Sequence, residues 1–429
     1  MLLAAVACLG AERDPGEVLA RLREFVHGEK ARIPNYTCVE TIDRVFLLPS
    51  GEKKARTPKS CPELAEFKRT PGYRLSPNSA DRFRLDVRVG PDMEMYSWVG
   101  AGRFEDRSLR DLLGYGPTST GSLGPVLTGI FGADAPEFQF EGVKTVHGLT
   151  AYAYSFRVPV EHSHHAFFWG GGQVTTAYEG TIYADPRTGA PVQLSVFVGG
   201  LPPETACCQF TTELDYRHVP VGAGEFLLPH EALQRFVEVN GTEVESTVTF
   251  TSCREYRAES SVAYAGASPP APAAGAAAAP PPPWEAPAGL PVSIALAGTI
   301  DSAVAAAGDP FGGRLTKPIV DKGKNVIAPE GAHVRGRVTQ VQRALDVSRV
   351  TILLEVETVE IAGREVPLRL TIGTPPIRTF PTGPFPSRGA LIGPLPPWLT
   401  AVGALFRCSA SRCVIRDGQK TEWVTASRP

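Results

Sequence analysis

The sequence predicts a mainly β protein of the α+β type. An N-terminal helix packs on a curved antiparallel half-barrel sheet, and a Pro/Ala linker then leads to a small β-barrel. Helical periodicity is clear in one segment near the N-terminus. Short runs of alternating apolar and polar residues follow without helices between them, which is typical of antiparallel sheets. The 25 residues of 265–289 hold 11 Ala, 8 Pro and 3 Gly, so we expect a linker between two folded units.

Residues 1–11 are apolar and end in small side chains, like the distal part of a secretory signal peptide. Cleavage with release, lipidation at Cys8 and a retained apolar tail are the three outcomes that these residues leave open. The segment predicts an exported protein of the periplasm or outer envelope of a bacterium. The net charge of −2 gives no reason to expect nucleic acid as a partner, whereas peripheral membrane association stays open.

Seven cysteines follow Cys8, and in an exported chain they predict disulfides. Their scattered spacing does not fit a zinc site, and a redox role for the vicinal pair at 207 and 208 is the alternative. An odd count leaves one cysteine of that vicinal pair over. The spacing favours the pairs Cys408–Cys413, Cys38–Cys61, and Cys253 with Cys207 or Cys208. The six disulfide candidates are Cys38, Cys61, Cys208, Cys253, Cys408 and Cys413.

The first unit, residues 12–264, opens with the helix. Asp14 is a suitable cap and Pro15 suits the first helical position, so the helix starts there and ends near Ala31. Its buried stripe is predicted at Val18, Leu19, Leu22, Phe25 and Val26. Strands are predicted from Tyr36 onward, with one short helix at Leu109–Leu113. The further strand segments are 82–89, 93–98, 138–143, 151–158, 178–184, 191–196, 211–218, 232–238 and 243–250.

The order of these elements resembles the family of LolA, the periplasmic lipoprotein carrier. The resemblance rests on Asn35–Ile42 directly after the helix, the turn-forming hairpin Gly180–Gly189, and the closing strand Cys253–Arg257. It implies a half-open barrel around the helix, with an apolar concavity that holds acyl chains, in a carrier and not an enzyme. The inserted loops Pro49–Pro77 and Leu109–Phe131 depart from the carrier's pattern and put lipoprotein carriage in doubt.

The second unit begins after the linker, at Leu290. Residues 325–336 resemble a stretch of the TrbI-like small β-barrels of conjugation and secretion machineries. The resemblance covers residues 290–373 and implies a compact barrel for binding or assembly. Residues 374–429 are expected to form a Pro-rich tail that ends in a hairpin at Asp417-Gly418. The uncharged run 389–406 within it is interrupted by prolines, which favours packing on the barrel over contact with a membrane.

Two groups of residues are candidate sites. Aromatic side chains on alternating strands could line a ligand cavity, or could equally fill a core. Three closely spaced histidines could bind a transition metal, or could be solvated residues of a surface loop. The ligand-binding candidates are Phe83, Tyr96, Trp98, Phe156 and Tyr183. The metal candidates are His162, His164 and His165.

The sequence therefore predicts an exported, non-enzymatic envelope protein without a cofactor. Its half-barrel binds an apolar or lipid-like ligand, a lipoprotein, or a protein partner of the envelope. A scaffold or secretion-assembly component acting through the second barrel is one alternative. A metal-dependent enzyme that uses the histidine cluster is the other.

Overall fold

A computed structural model describes residues 13–50, 57–90, 94–101, 103–104, 109–113, 127, 129–132, 136–163, 165–169, 172–256, 286–371 and 404–426. Its regular structure is mostly antiparallel β-sheet with few helices, so the mainly β prediction is confirmed. None of the helices in these ranges is long and apolar enough to cross a membrane. The expectations for residues 1–11, including Cys8, for most of the linker and for residues 374–403 lie outside the described residues.

The larger unit combines one long helix with a ten-stranded antiparallel sheet. Its helices are α1 (Pro15–Arg32), α2 (Cys61–Phe67) and α3 (Leu109–Leu113). The strands are β1 (Tyr36–Ser50), β2 (Arg74–Val89), β3 (Glu94–Trp98), β4 (Phe138–Val146), β5 (Leu149–Val158), β6 (Ala166–Trp169), β7 (Gly172–Thr175), β8 (Tyr178–Ala184), β9 (Pro191–Gly199), β10 (Cys207–Val221), β11 (Gly224–Glu238) and β12 (Glu243–Glu255). Single 3-10 turns span Val160–His162 and Pro203–Thr205.

The strands of the large sheet follow the order β4, β5, β8, β9, β10, β11, β12, β1, β2, β3, and every neighbouring pair is antiparallel. Strands β6 and β7 form a separate two-stranded hairpin. Alternate residues of each strand point to one common face, which carries the main apolar core. We call it the inner face.

Helix α1 covers part of the inner face. The Asp14 carboxylate accepts a hydrogen bond from the Glu17 amide at 3.0 Å, and Pro15 occupies the first turn, as the sequence predicts. Val18 and Leu22 are fully buried, which confirms the apolar stripe. Because these side chains join the core of the sheet, tertiary packing and not helix propensity holds α1 in place.

Two contacts fix the position of α1 on the sheet. The Tyr154 hydroxyl of β5 donates to the Pro15 carbonyl at 2.7 Å. The turn between β8 and β9 presses on the middle of the helix, since a Cβ added at Gly189 would lie 2.7 Å from the Arg21 carbonyl carbon. A glycine with a positive φ of 79° is therefore required at this turn for the helix to approach it closely.

The smaller unit has its own buried cluster. It already includes Ala286, four residues before the expected start at Leu290, because Thr425 bonds to both the Pro287 carbonyl and the Gly289 amide. Its strands are β13 (Pro291–Ala297), β14 (Ile300–Asp301), β15 (Pro310–Leu315), β16 (Ile319–Val320), β17 (Val326–Ala328), β18 (His333–Ala344), β19 (Arg349–Ile361), β20 (Arg364–Pro367), β21 (Leu370–Thr371), β22 (Ala404–Cys408), β23 (Val414–Ile415) and β24 (Lys420–Thr425).

The expected C-terminal hairpin is wrong. Strand β23 pairs with β14, whereas β24 pairs with β13 and β21. The turn at Asp417 and Gly418 does form, but its Gly418 amide donates to the Leu296 carbonyl and its Asp417 carboxylate accepts from the Gly298 amide. Because the turn is held against the end of β13, its two flanking strands diverge into different ladders.

The two units are in direct contact. Strand β18 continues the sheet beyond β2 through three residue pairs, and Phe83 forms a β-bridge with Ala307. The Arg84 amide donates to the Ala307 carbonyl at 2.7 Å, and the Arg84 side chain bonds to Asp309 at 2.5 Å. A Cβ at Gly308 would lie 2.0 Å from the Arg84 carbonyl oxygen. Backbone hydrogen bonds, an ion pair and close approach thus join the units.

The disulfides differ in part from the expected pairing. Cys408–Cys413 forms as expected, whereas Cys38 pairs with Cys253 and Cys61 with Cys208. The expected Cys38–Cys61 bond and the expected bond of Cys253 to Cys207 or Cys208 are therefore both wrong. The physical reason is the sheet order, since Tyr36 of β1 lies opposite Glu255 of β12 and brings Cys38 beside Cys253. Among the described cysteines the free thiol is Cys207, and burial raises its pKa to about 11, which makes it a poor nucleophile at neutral pH.

Candidate functional site

A row of polar side chains crosses the inner face of the large sheet. Thr212 of β10 lies opposite Gln234 of β11, and Gln234 lies opposite Ser246 of β12. Ser246 lies opposite Arg44 of β1, which lies opposite Asp81 of β2. We call these five residues the polar row. All but Asp81 are buried to more than nine-tenths, so the inner face is not uniformly apolar.

Arg44 forms the charged end of the polar row. Its Nε and Nη2 donate to the two Asp81 carboxylate oxygens, both at 2.8 Å, in a bidentate pair. The guanidinium carbon lies 4.7 Å from the ring centroid of Phe83 and 5.5 Å from that of Phe46. The Arg44 side chain is only 1% exposed, so this ion pair and its aromatic neighbours replace water around a buried charge.

The hydroxyls of the polar row differ from Arg44 in their hydrogen bonding. The Thr212 and Ser246 hydroxyl oxygens are buried and have no hydrogen-bond partner among the residues that the structure describes. Native cores pair nearly all buried polar atoms, because an unmade hydrogen bond costs about 1–3 kcal/mol. One hydroxyl on each side of Gln234 is therefore available for a further hydrogen bond at the inner face.

Aromatic rings flank the polar row on one side. The Phe210 and Phe236 rings stack with centroids 4.5 Å apart, and Phe236 lies two residues from Gln234 along β11. The His165 ring lies over this group, 6.5 Å from Phe210 and 5.8 Å from Tyr178. We call these four residues the aromatic wall. Desolvation in this wall lowers the pKa of His165, so its imidazole is neutral at pH 7.

A second polar group lies elsewhere on the inner face, where β1, β2 and β3 pair. It consists of Tyr36 and Glu40 of β1 and Glu94 and Tyr96 of β3, and we call it the carboxyl–phenol cluster. The Tyr96 hydroxyl donates to the Glu94 carboxylate at 2.6 Å. Within the described part of the chain, neither carboxyl oxygen of Glu40 has a hydrogen-bond partner, although the side chain is only 1% exposed.

Burial changes the acidity of both carboxyls of the cluster. Desolvation, with a smaller contribution from the nearby Glu94 charge, raises the pKa of Glu40 to about 8. Desolvation also raises the pKa of Glu94 to about 6, and the hydrogen bond from Tyr96 opposes this shift. Glu40 is therefore protonated at neutral pH, and the cluster changes its charge between pH 6 and 8.

The five aromatic ligand-binding candidates are not all in one place. Phe83 and Tyr96 are buried on the inner face, beside Arg44 and within the carboxyl–phenol cluster respectively. Trp98 is partly buried and packs against the main core, two residues beyond Tyr96. Phe156 is buried on β5 and lies 6.3 Å from Tyr178 of the aromatic wall. Tyr183 is half-buried and alternates with the buried Ile182 and Ala184, so it points to the other face of β8.

Two of the three histidines, His162 and His165, belong to the described residues and differ in their surroundings. His162 is exposed in a 3-10 turn, while His165 turns inward and its Nδ1 lies 2.9 Å from the Thr176 hydroxyl. Among the residues that the structure describes, no group of three or more His, Cys, Asp or Glu side chains could hold a metal ion. His164 lies outside these residues.

Sequence reasoning missed the polar residues of the inner face. Arg44 stands between Ile42 and Phe46, and Glu40 stands between Cys38 and Ile42, at positions where alternation predicts an inward side chain. That break in the inward apolar pattern is the signal that could have found them. Thr212 and Ser246 carry a weaker signal, because hydroxyl residues are common in strands.

Comparison with protein families and with curated proteins finds no match to this chain. Three solved structures align with its larger part at low similarity. They are a LolA superfamily protein from Nitrosomonas europaea (7% identity, 58% of this chain and 96% of that chain, TM-score 0.24), a putative outer membrane lipoprotein-sorting protein domain from Vibrio parahaemolyticus (9%, 54% and 91%, 0.22) and a DUF1329 family protein from Desulfovibrio piger (9%, 57% and 94%, 0.25). At these TM-scores the alignments carry no functional argument, so the function is argued from the chain's own residues.

Proposed function

We propose that residues 13–256 form a non-enzymatic binding protein of the bacterial envelope, whose inner face takes an apolar or lipid-like ligand. The LolA-like order of helix and strands is part of this proposal, as is a position in the periplasm or outer envelope. A protein partner in place of the lipid is the alternative occupant. The smaller unit is proposed as a compact barrel attached to this binding unit.

The observation that carries the proposal is the pair of unpartnered hydroxyls, Thr212 and Ser246, beside the aromatic wall. A core that serves only to stabilise a fold gains nothing from buried hydroxyls without hydrogen bonds. A binding face gains orientation of its ligand from a few polar groups placed in an apolar lining. The polar row therefore favours a bound amphiphile over a closed core.

The three disulfides support the location. They close loops between residues 38 and 253, 61 and 208, and 408 and 413, and such bonds persist in oxidising compartments. The apolar residues 1–11 are consistent with export, because they resemble the distal part of a signal peptide.

Titration of the full chain with N-phenyl-1-naphthylamine, a neutral dye that fluoresces in apolar surroundings, tests the proposal. We expect saturable binding of one dye molecule per chain and displacement of the dye by 1-dodecanol. Ser246→Leu fills the inner face and should abolish binding, whereas Thr247→Leu, on the other face of the same strand, should leave it unchanged.

Circular dichroism shows whether the Ser246→Leu chain folds. If it does not fold, displacement by 1-dodecanol in the unsubstituted protein decides the question. Non-saturable fluorescence, or equal dye binding by folded Ser246→Leu and Thr247→Leu, contradicts the proposal. Either result favours a protein partner in place of the lipid.

A further inference from the structure

We infer that the carboxyl–phenol cluster is a binding site for an organic ammonium group carried on an apolar ligand. The inference rests on the proposed function, since the apolar part of the same ligand would lie along the inner face. It goes further by naming the chemical class of the ligand's polar end, a protonated amine.

The register of three strands places the cluster together. Tyr36 of β1 and Glu94 of β3 both lie opposite Val89 of β2, from its two sides. Two residues along, Tyr96 lies opposite Val87. Glu40 lies opposite Leu85, further along the same inner face. The two acidic and two phenolic side chains thus surround a floor of apolar β2 residues, which lowers the local dielectric.

Glu40 is the independent sign that something binds here. It is fully buried, and no described residue forms a hydrogen bond with either of its carboxyl oxygens. A protonated carboxyl that is buried without partners loses the hydrogen bonds that it would form with water. Burial of an ionised carboxyl in the same way costs more free energy. A bound hydrogen-bond donor would satisfy both oxygens, and a cationic donor would also balance the charge.

The charges that act on the cluster come from within it. The Glu94 charge raises the pKa of Glu40 and of Tyr36. The charges of Glu94, Glu40 and Tyr36 raise the pKa of Tyr96. The neighbouring cation of β2, Arg88, alternates with Val87 and Val89 and stacks on the Tyr256 ring with its guanidinium carbon 4.2 Å from the centroid. Arg88 therefore lies on the outer face, and the two carboxyls share no ion pair with it.

The kind of cation follows from the donor set. Calcium requires six to eight oxygen ligands and magnesium a near-octahedral shell, and two carboxyls with two phenols do not supply them. Within the described part of the chain, no group of three or more His, Cys, Asp or Glu side chains could hold a metal ion. An ammonium group needs about three acceptors and gains from nearby tyrosine rings, which is what this cluster offers.

Glu94 is the most exposed residue of the cluster. Glu94 is half-buried, whereas Glu40, Tyr36 and Tyr96 are each less than 5% exposed. A ligand would therefore meet Glu94 first and Glu40 last. The order predicts that Glu94 contributes to capture and Glu40 to the final affinity.

Binding should be linked to pH. Without ligand, burial keeps the Glu40 proton in place up to a pKa of about 8 and the Glu94 proton up to about 6. An ammonium ion favours the ionised carboxyls, so binding displaces protons, and the affinity rises from pH 5 to pH 8.

The test compares two probes of equal length, hexylammonium chloride and 1-hexanol, by calorimetric titration of the full chain at pH 8 and pH 5. We expect hexylammonium to bind at least about tenfold more tightly than 1-hexanol at pH 8, with the difference reduced at pH 5. Glu40→Gln and Glu94→Gln should each remove most of the difference. Glu179→Gln, an exposed position on β8, is the matched control and should keep it.

The outcomes separate the inference from the proposed function. Equal affinities for the two probes, or a preference for hexylammonium that survives Glu40→Gln and Glu94→Gln, overturn the ammonium site and leave the apolar binding face intact. Binding of neither probe overturns both. Folding does not confuse the result, because Glu40→Gln removes a buried carboxyl and is expected to stabilise the chain.

Discussion

At the scale of single residues, the inner face is defined by charges that are buried where a strand pattern calls for apolar side chains. Arg44 is balanced by Asp81 and by two aromatic rings. Glu40 has no such balance and keeps its proton instead. These residues were not predicted from the sequence, because alternation identifies the inward positions but not which inward side chains find partners across strands distant in sequence.

Glu40 should make the fold less stable as the pH rises. Between its unfolded pKa near 4.5 and its folded pKa of about 8, the folded chain holds a proton that the unfolded chain has released. The stability that the Glu40 proton contributes is therefore fully present below about pH 4.5 and is lost progressively up to about pH 8. Glu40→Gln should raise the free energy of unfolding by about 2–4 kcal/mol at pH 8 and by little at pH 4.5. Urea denaturation at both pH values measures this, and an equal effect at the two would contradict it.

The Arg44–Asp81 pair gives the second prediction. Asp81→Asn removes the carboxylate that forms the bidentate pair with a buried guanidinium and should cost about 3 kcal/mol of unfolding free energy. The neighbouring pair of Asp43 and Arg82 is more exposed, so Asp43→Asn should cost less than about 1 kcal/mol. Chemical denaturation of the two variants provides the comparison. Similar losses in both would mean that burial does not control the strength of the Arg44 pair.

At the scale of elements, the predictions from local sequence were the most successful. The cap at Asp14, Pro15 and the apolar stripe placed α1 within one residue of its observed start and end, because all three signals are local. The short helix at Leu109–Leu113 also forms. Helix α2 was missed because its segment, CPELAEF, is a single short amphipathic stretch inside a Pro-rich loop. The partner of Cys38 was missed, unlike that of Cys408, because it depends on which strands are neighbours.

The packing of α1 on the turn between β8 and β9 gives the third prediction. Gly189→Ala places a Cβ 2.7 Å from helix backbone, so it should cost about 2–3 kcal/mol and loosen α1. Gly148→Ala has a similar positive φ, with no atom within 4 Å of the new Cβ, and should cost only about 1 kcal/mol. Thermal denaturation and amide exchange of α1 measure the difference. Equal losses of stability in the two variants would show that α1 moves to accommodate the added methyl group.

At the scale of the whole molecule, the Pro/Ala segment predicts two units, and the structure has two buried clusters. Composition could not predict that the units touch, because the contact depends on the free edge of β2 meeting β18. The inner face and the smaller unit are thereby part of one sheet. A rigid contact of this kind would fix the orientation of one unit relative to the other.

Gly308 is the position that tests this contact. Gly308→Ala brings a Cβ within 2.0 Å of the Arg84 carbonyl oxygen and should separate the units without unfolding either one. Gly298→Ala, with a positive φ and open space around the new Cβ, is the control. Small-angle X-ray scattering should show a larger radius of gyration for Gly308→Ala alone. An unchanged radius would mean that the remaining contacts are sufficient to hold the units together.

The measurement that tests the central claim most directly is native mass spectrometry of the full chain purified from an oxidising compartment, followed by lipid extraction. The account predicts a co-purified amphiphile at about one per chain, lost on Ser246→Leu, together with a mass that corresponds to three disulfides. A chain that is free of ligand, and that stays free when lipid is added, would contradict a binding role for the inner face.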